Sequence, residues 1–384
     1  MTAHPRPRAG LAALAIAQIV AWGVLYYAVL VAAPAIADDT GWDEQSIFLA
    51  ITAGLLTSAA CAIPVGRLLD RHPRRVMVIG AIGGTLALLA AAASPAIAVF
   101  AAAWVVCGAA QSAVLYQAAF TVITHRYQGD RRGPLTLVTL AGGLASTVFA
   151  PLTGWLASEV GWRMAFVILA AALAATVIPT YALTVEARWA HLTDRSTGDG
   201  TAREVLRTRR FWMLTGSFAL LSFSLYSVTL SAVPAALEKG LGFQAAAWIL
   251  GLIGAGQVLG RLVYLALPHT AAPWIAPALI GTAGSAILAA FGFATQPGWI
   301  FATAITAGAV RGALTLVQAS AVADRWGAHA YGRLNGVLAA PVSALTALSP
   351  GVGVAIASAE GSYQTMAYTM AAVCLVGAVL VGRR

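Results

Sequence analysis

Gly66-Arg67-Leu68-Leu69-Asp70-Arg71-His72-Pro73-Arg74-Arg75 packs one acid and four arginines into ten residues. On either side lie long apolar runs, roughly residues 46–69 and 76–93, in a chain that is 60% hydrophobic and only 10% charged. Each run is long enough to cross a bilayer, which takes about 20 apolar residues. A short charged turn pinned between two such runs is the surface connection of a membrane hairpin, not a soluble loop.

Working outward, the same pattern recurs along the whole chain. Mean hydropathy is +0.81 over 384 residues, whereas soluble domains are about half apolar and a quarter charged. Twelve apolar runs are candidates for spans: roughly 11–36, 46–69, 76–93, 97–122, 134–157, 163–184, 211–235, 245–267, 273–293, 299–322, 335–356 and 362–381. The first is too long for a signal peptide, and Ala37-Asp38-Asp39 is a poor cleavage site. The sequence therefore predicts an all-α, multi-pass membrane protein of twelve transmembrane helices.

The net charge of +9 is a statement about orientation. In a twelve-span arrangement Arg6, Arg8, Arg71, Arg74, Arg75, Arg126, Arg131, Arg132, the arginines between 188 and 210, Arg325, Arg333, Arg383 and Arg384 share one side. Only Arg163 and Lys239 fall on the other. By the positive-inside rule both termini face the cytoplasm, in a bacterial-type inner (plasma) membrane. No nucleic-acid partner is implied.

Cys61, Cys107 and Cys374 stand alone in separate spans without C-x-x-C spacing. Buried cysteines of this kind behave as small hydrophobes; the other reading is a soft-metal or arsenic site assembled from all three. There is no nucleotide loop and no metal-spaced histidine cluster, so neither an enzyme nor a cofactor or resident metal is expected.

The chain repeats itself at an offset near 200. Tyr26 and Pro34 recur as Tyr226 and Pro234; Gly108 and Gln111 answer to Gly308 and Arg311; Arg126 to Arg325; Pro151 and Gly154 to Pro350 and Gly353; Gly161 to Gly361. Two parallel repeats of six spans follow, 1–184 and 211–384, joined by a solvated linker, 185–210, with a short helix near Ala202–Arg209. In the second copy the charged turn has decayed to Leu265-Ala266-Leu267-Pro268-His269.

The opening stretch resembles the signature loop between helices two and three of the major facilitator superfamily, roughly G-x-x-x-D-R-x-G-R-R. Gly66, Asp70, Arg71, Arg74 and Arg75 match, and Pro73 replaces a glycine. The resemblance implies two six-helix bundles, alternating access around a site near the midplane between the halves, and gating by these five residues at the cytoplasmic side. The alternative is that the arginines only set topology.

Two arginines lie within spans, Arg261 in the eighth and Arg311 in the tenth, whereas none of the fourteen acids lies at the centre of a span. An intramembrane arginine needs a polar cavity or a partner, and a guanidinium is suited to bidentate capture of a carboxylate. For Arg261 the competing reading is snorkelling to the cytoplasmic face; for Arg311 it is a structural bond to carbonyls or Gln257. Tyr26, Tyr27, Gln111, Gln257 and Tyr226 extend the expected substrate site, beside Gln18, Trp22, Gln117 and Ser222.

Within the superfamily, the chain resembles bacterial relatives of the monocarboxylate transporters. The resemblance runs through Trp22-Gly23-Val24-Leu25-Tyr26-Tyr27, Gly41-Trp42, Arg261 and Tyr331-Gly332-Arg333-Leu334-Asn335-Gly336. It implies that Arg261 binds the substrate carboxylate. The aspartate that assists proton coupling one turn earlier in that family is here Gln257. The expected function is secondary active or facilitated transport of a small organic anion, a monocarboxylate, by a monomer in the lipid bilayer, with a proton as candidate coupling ion. The alternative is proton-antiport efflux of a drug, toxic metabolite or metalloid, whose span-five motif survives here only as Pro151 and Gly154.

Overall fold

The computed structural model describes residues 7–127, 130–189, 202–266, 273–328 and 330–382. The middle of the linker, 190–201, residues 267–269 of the decayed turn, and Arg6, Arg383 and Arg384 of the charge asymmetry lie outside the described residues. All regular structure among the described residues is helical.

The chain divides into two compact units. Unit 1 comprises Met1–Ala202 with Ala328–Ala340, and unit 2 comprises Arg203–Gly327 with Pro341–Arg384. Unit 1 holds α1 (Pro7–Trp22), a π-helical turn (Gly23–Tyr27), α2 (Ala28–Thr40), α3 (Glu44–Arg71), α4 (Pro73–Ala92), α5 (Ile97–Val114), α6 (Tyr116–Arg126) and α7 (Arg132–Thr184). Unit 2 holds α8 (Arg209–Leu230), α9 (Ala232–Glu238), α10 (Phe243–Ala266), α11 (Ile275–Phe293), α12 (Pro297–Trp326) and α14 (Tyr363–Gly382). Helix α13 (Tyr331–Glu360) begins in unit 1 and continues in unit 2.

Nine helices among the described residues are long and apolar enough to cross a membrane. One of them, α7, runs 53 residues; a straight rod of that length would reach about 80 Å, far beyond one bilayer core of about 30 Å. It breaks at Gly161, whose φ of 78° and ψ of 156° only glycine adopts without strain, and so supplies two spans. The bent pair Tyr331–Ser349 and Gly351–Glu360 and the apolar stretch Gly251–Leu265 of α10 complete the expected twelve.

Close helix crossings repeat in both units. In unit 1 a Cβ on Gly108 would lie 1.8 Å from the Gly54 carbonyl oxygen, so α3 and α5 meet backbone to backbone. In unit 2 a Cβ on Gly260 would lie 1.9 Å from the Ala309 oxygen, and one on Gly312 2.2 Å from the Gln257 oxygen. Small residues at such crossings let dispersion contacts act where lipid provides no hydrophobic drive between helices. Hydroxyl-to-carbonyl bonds add to this in unit 2: Ser217 Oγ donates to Gly377 O at 2.6 Å and Ser285 Oγ to Ala371 O at 2.8 Å.

On the side away from the charged turn, the repeat has exchanged its cations. Arg163 donates to the carbonyls of Ala92 and Ser94, each within 2.9 Å, at the end of α4. The equivalent carbonyls of Gly292 and Ala294, at the end of α11, receive Lys239 Nζ at 2.8 Å. Lys239 stands where the first repeat has Asp39, which instead lies 3.7 Å from Arg163. Burial draws the Lys239 ammonium below the usual lysine range, and Glu238 partly offsets this.

Candidate functional site

The charged turn that marks the sequence is built around Asp70. Helix α13 begins after Ala330, which has no side-chain acceptor for the open N–H groups of a first helical turn. Asp70, at the end of α3, supplies that cap from a different helix: Oδ1 accepts from Gly332 N and Oδ2 from Arg333 N, both at 2.7 Å. The helix N-terminus also favours the carboxylate's charge. Two glycines permit the approach, since a Cβ on Gly66 would sit 2.1 Å from Gly332 O and one on Gly332 2.5 Å from Gly66 O. Gln117 Nε2 donates to Ala62 O at 2.6 Å one turn further along the same contact.

Behind Asp70 the start of the linker, residues 184–189, is strapped across the helix ends. Arg126 grips Glu186 with both ends of its fork at 2.9 Å and also reaches Thr184 O. Arg74 Nε donates to Val185 O at 2.7 Å, and Trp189 Nε1 donates to Leu69 O at 3.1 Å. His125, its side chain wholly buried, lies 3.3 Å from Asp70 Oδ1 and stacks on Trp189 with ring centroids 4.4 Å apart. Of the five residues predicted to act together, Gly66, Asp70 and Arg74 join this assembly, while Arg71 and Arg75 are exposed. His125, Glu186 and Trp189 were not legible as partners from the sequence; the only local signal was a histidine beside Arg126 at a helix end.

The polar residues of unit 1 within the membrane bind mostly to backbone. Helix α5 ends at Leu115, whose ψ of −156° interrupts the span and frees the Val114 carbonyl. Gln18 Nε2 at 2.8 Å and Tyr181 Oη at 2.9 Å both donate to that oxygen. Gln111 Nε2 donates to Leu25 O at 2.7 Å, in the π-helical turn. Such single-turn insertions gather at functional sites. Here the turn carries Tyr26 and Tyr27, both half-buried, with Tyr26 packed edge-on to Trp22 at 5.3 Å. A small cleft is lined by Tyr26 and Gln111 among apolar neighbours including Leu25, Val29 and Trp104.

Unit 2 carries the two arginines, in contrasting states. Arg311 lies over the Tyr226 ring, its Cζ 3.6 Å from the centroid, and donates to Thr229 Oγ1 at 3.0 Å. Its partners are an aromatic face and a hydroxyl on α8, and not the carbonyls or Gln257 of the competing structural reading; Thr229 gave no signal in the sequence. Arg261 is only 4% exposed. It makes no hydrogen bond or ion pair among the described residues, and its Nε is buried without an acceptor. Snorkelling needs a guanidinium that reaches water, and the low exposure of this residue leaves it little surface to do so. Gln257, half-buried one turn earlier, presses its carbonyl against Gly312.

The thiols do not converge. Cys107 Sγ lies 3.9 Å from Leu25 O in unit 1, and Cys374 Sγ 3.4 Å from Gly281 O in unit 2. No group of three or more metal-ligating side chains occurs among the described residues.

Comparison with known proteins gives these sites a family. The fold matches the E. coli fucose:proton symporter FucP, crystallised as a variant, at 17% identity over 98% of this chain and 97% of that one, with a TM-score of 0.72. It matches the human organic anion transporter MFSD10 at 15% identity over 98% and 100% of the two chains, with a TM-score of 0.77. A second structure of FucP, in the outward conformation, matches at 15% identity over 96% and 97%, with a TM-score of 0.75. At these identities the likeness is one of fold. No curated protein matches significantly in sequence. The profile of the Major Facilitator Superfamily matches residues 14–280, more than half of the chain. With its helical membrane fold, this protein belongs to the major facilitator superfamily, a family of membrane transporters.

Proposed function

We propose that the chain carries a small organic anion, a monocarboxylate, and that Arg261 holds its carboxylate. The observation behind this reading is that Arg261, only 4% exposed, has no hydrogen bond or ion pair among the described residues and a buried Nε without an acceptor. Leaving a buried charge unpaired costs several kcal/mol, about 3–5 by the measure of broken buried pairs, and a chain retains such a residue when something else completes it. A carboxylate does so with two charge-assisted hydrogen bonds. The resemblance of Arg261 and the Trp22–Tyr27 stretch to the monocarboxylate branch points the same way. MFSD10 is named as an organic anion transporter, so a cargo of this charge is compatible with the fold.

In this reading Arg311, Gln257 and Tyr226 shape the surroundings of Arg261 in unit 2, and Tyr26, Tyr27 and Gln111 supply polar and aromatic surface in unit 1. Asp70, backed by Gly66 and Arg74, gates the cytoplasmic side by holding α13; Arg71 and Arg75 contribute to topology. The arginine distribution puts both termini in the cytoplasm.

Uptake of a panel of radiolabelled monocarboxylates by purified protein in liposomes tests the cargo. For whichever acid the native protein carries, Arg261→Ala should lower uptake about a hundredfold, and Arg261→Lys should restore little, because an ammonium lacks the planar fork. Undiminished uptake by both variants would remove Arg261 from the site.

A further inference from the structure

We propose that His125 is a proton-binding site that sets how firmly Asp70 holds α13, so that the cytoplasmic latch opens more readily when this histidine is charged. The proposal rests on the gating role given to Asp70 above.

The geometry is that of a shared carboxylate. Oδ1 of Asp70 lies 2.7 Å from Gly332 N and 3.3 Å from His125 Nε2. A helix N-terminus carries about half a positive charge, and imidazole is the side chain that changes charge near neutral pH. When His125 gains a proton, two positive groups converge on one oxygen and repel each other, while the carboxylate's charge is divided between them. Released from α13, Asp70 can serve the imidazolium alone. Proton and helix end therefore compete, and by linkage whatever favours one weakens the other.

The surroundings suit a protonatable group despite its burial. The Trp189 ring lies almost parallel to the imidazole, 14° apart, and its face attracts a cation. Trp189 is fixed in turn by its bond to Leu69 O. The charged and titratable groups on the elements packed here are Arg67, Asp70 and Arg71 on α3, His72 after it, Arg74 and Arg75 on α4, Arg126 on α6 joined to Glu186, Arg188 beside Trp189, and Arg333 on α13.

Hydrogen–deuterium exchange of the full chain in lipid nanodiscs reads the latch directly, because the Gly332 and Arg333 amides are the groups Asp70 holds. After correction for the intrinsic pH dependence of exchange, their protection should fall about tenfold between roughly pH 8 and pH 5.5, the range in which imidazole titrates. His125→Gln and His125→Phe should each keep protection level across that range. Asp70→Asn should lower it at both ends. An unchanged native protein, or the same fall in both histidine variants, would overturn the proton site. Full protection in Asp70→Asn would instead overturn the gating role of Asp70 on which it rests.

Discussion

Asp70 caps a helix whose own capping position, Ala330, cannot. Ala330 also sits at φ = 54°, the only left-handed residue other than glycine among the described residues. A methyl-bearing residue there costs about 1–2 kcal/mol relative to its relaxed backbone. The entry to α13 is thus strained in itself and held from outside.

Ala330→Gly separates these two contributions. Relief of the left-handed strain should stabilise the closed entry by about 1 kcal/mol, seen as a higher apparent Tm in detergent and slower amide exchange at 331–333. It should do so equally in the native and Asp70→Asn backgrounds, since the strain is local. A destabilised Ala330→Gly would mean that the turn is relaxed.

Arg261 should set stability against activity. Replacing even a buried ion pair with well-packed apolar chains is often neutral or stabilising by about 1–4 kcal/mol, and a buried charge without a pair has less to lose. Arg261→Met is expected to raise the apparent Tm of the substrate-free protein while abolishing monocarboxylate uptake. A lower Tm would show that the guanidinium has structural partners.

Arg311 and Tyr226 should be energetically coupled. A double-mutant cycle with Arg311→Met and Tyr226→Leu, read by unfolding in detergent, is expected to give about 1–2 kcal/mol for a stacked cation shielded from water. Thr229→Val removes the hydroxyl that accepts from Arg311 and donates to Leu225 O, and should cost about 1 kcal/mol. Additive single effects would reduce the 3.6 Å stacking to mere proximity.

The glycine crossings make a graded series. Gly260→Leu and Gly108→Leu drive atoms into a backbone carbonyl already 1.9 and 1.8 Å from the first added carbon; both should abolish a monodisperse peak in size-exclusion chromatography. Gly83→Ala, where nothing lies within 4 Å, should elute as the native protein does.

Much of this architecture could be read from the chain because bilayer crossing imposes a strict length and polarity on every span. The turn at 66–75 and the repeat near 200 were equally visible, and the repeat places Gln111 and Arg311 on equivalent helices. Each does reach back to the first helix of its own unit, to Leu25 and to Tyr226. What stayed hidden depends on distant contacts. Val114-Leu115-Tyr116 contains no glycine or proline to announce a break. His125 and Trp189 are 64 residues apart and meet only because the strap folds back. Arg261 was conspicuous as a charge, but that its Nε finds no acceptor among the described residues is a property of the packed structure alone.

The interruption at Leu115 has a mechanical corollary. Helix α12, the counterpart in the second repeat, runs unbroken from Pro297 to Trp326, a one-piece lever. Its first-repeat equivalent is a jointed rod whose elbow, the Val114 oxygen, is clamped from two sides, by Gln18 on α1 and by Tyr181 near the end of α7. Flexing the elbow without breaking the clamp requires those helices to turn with it, so three helices are geared together in one half and the matching helix of the other is left stiff.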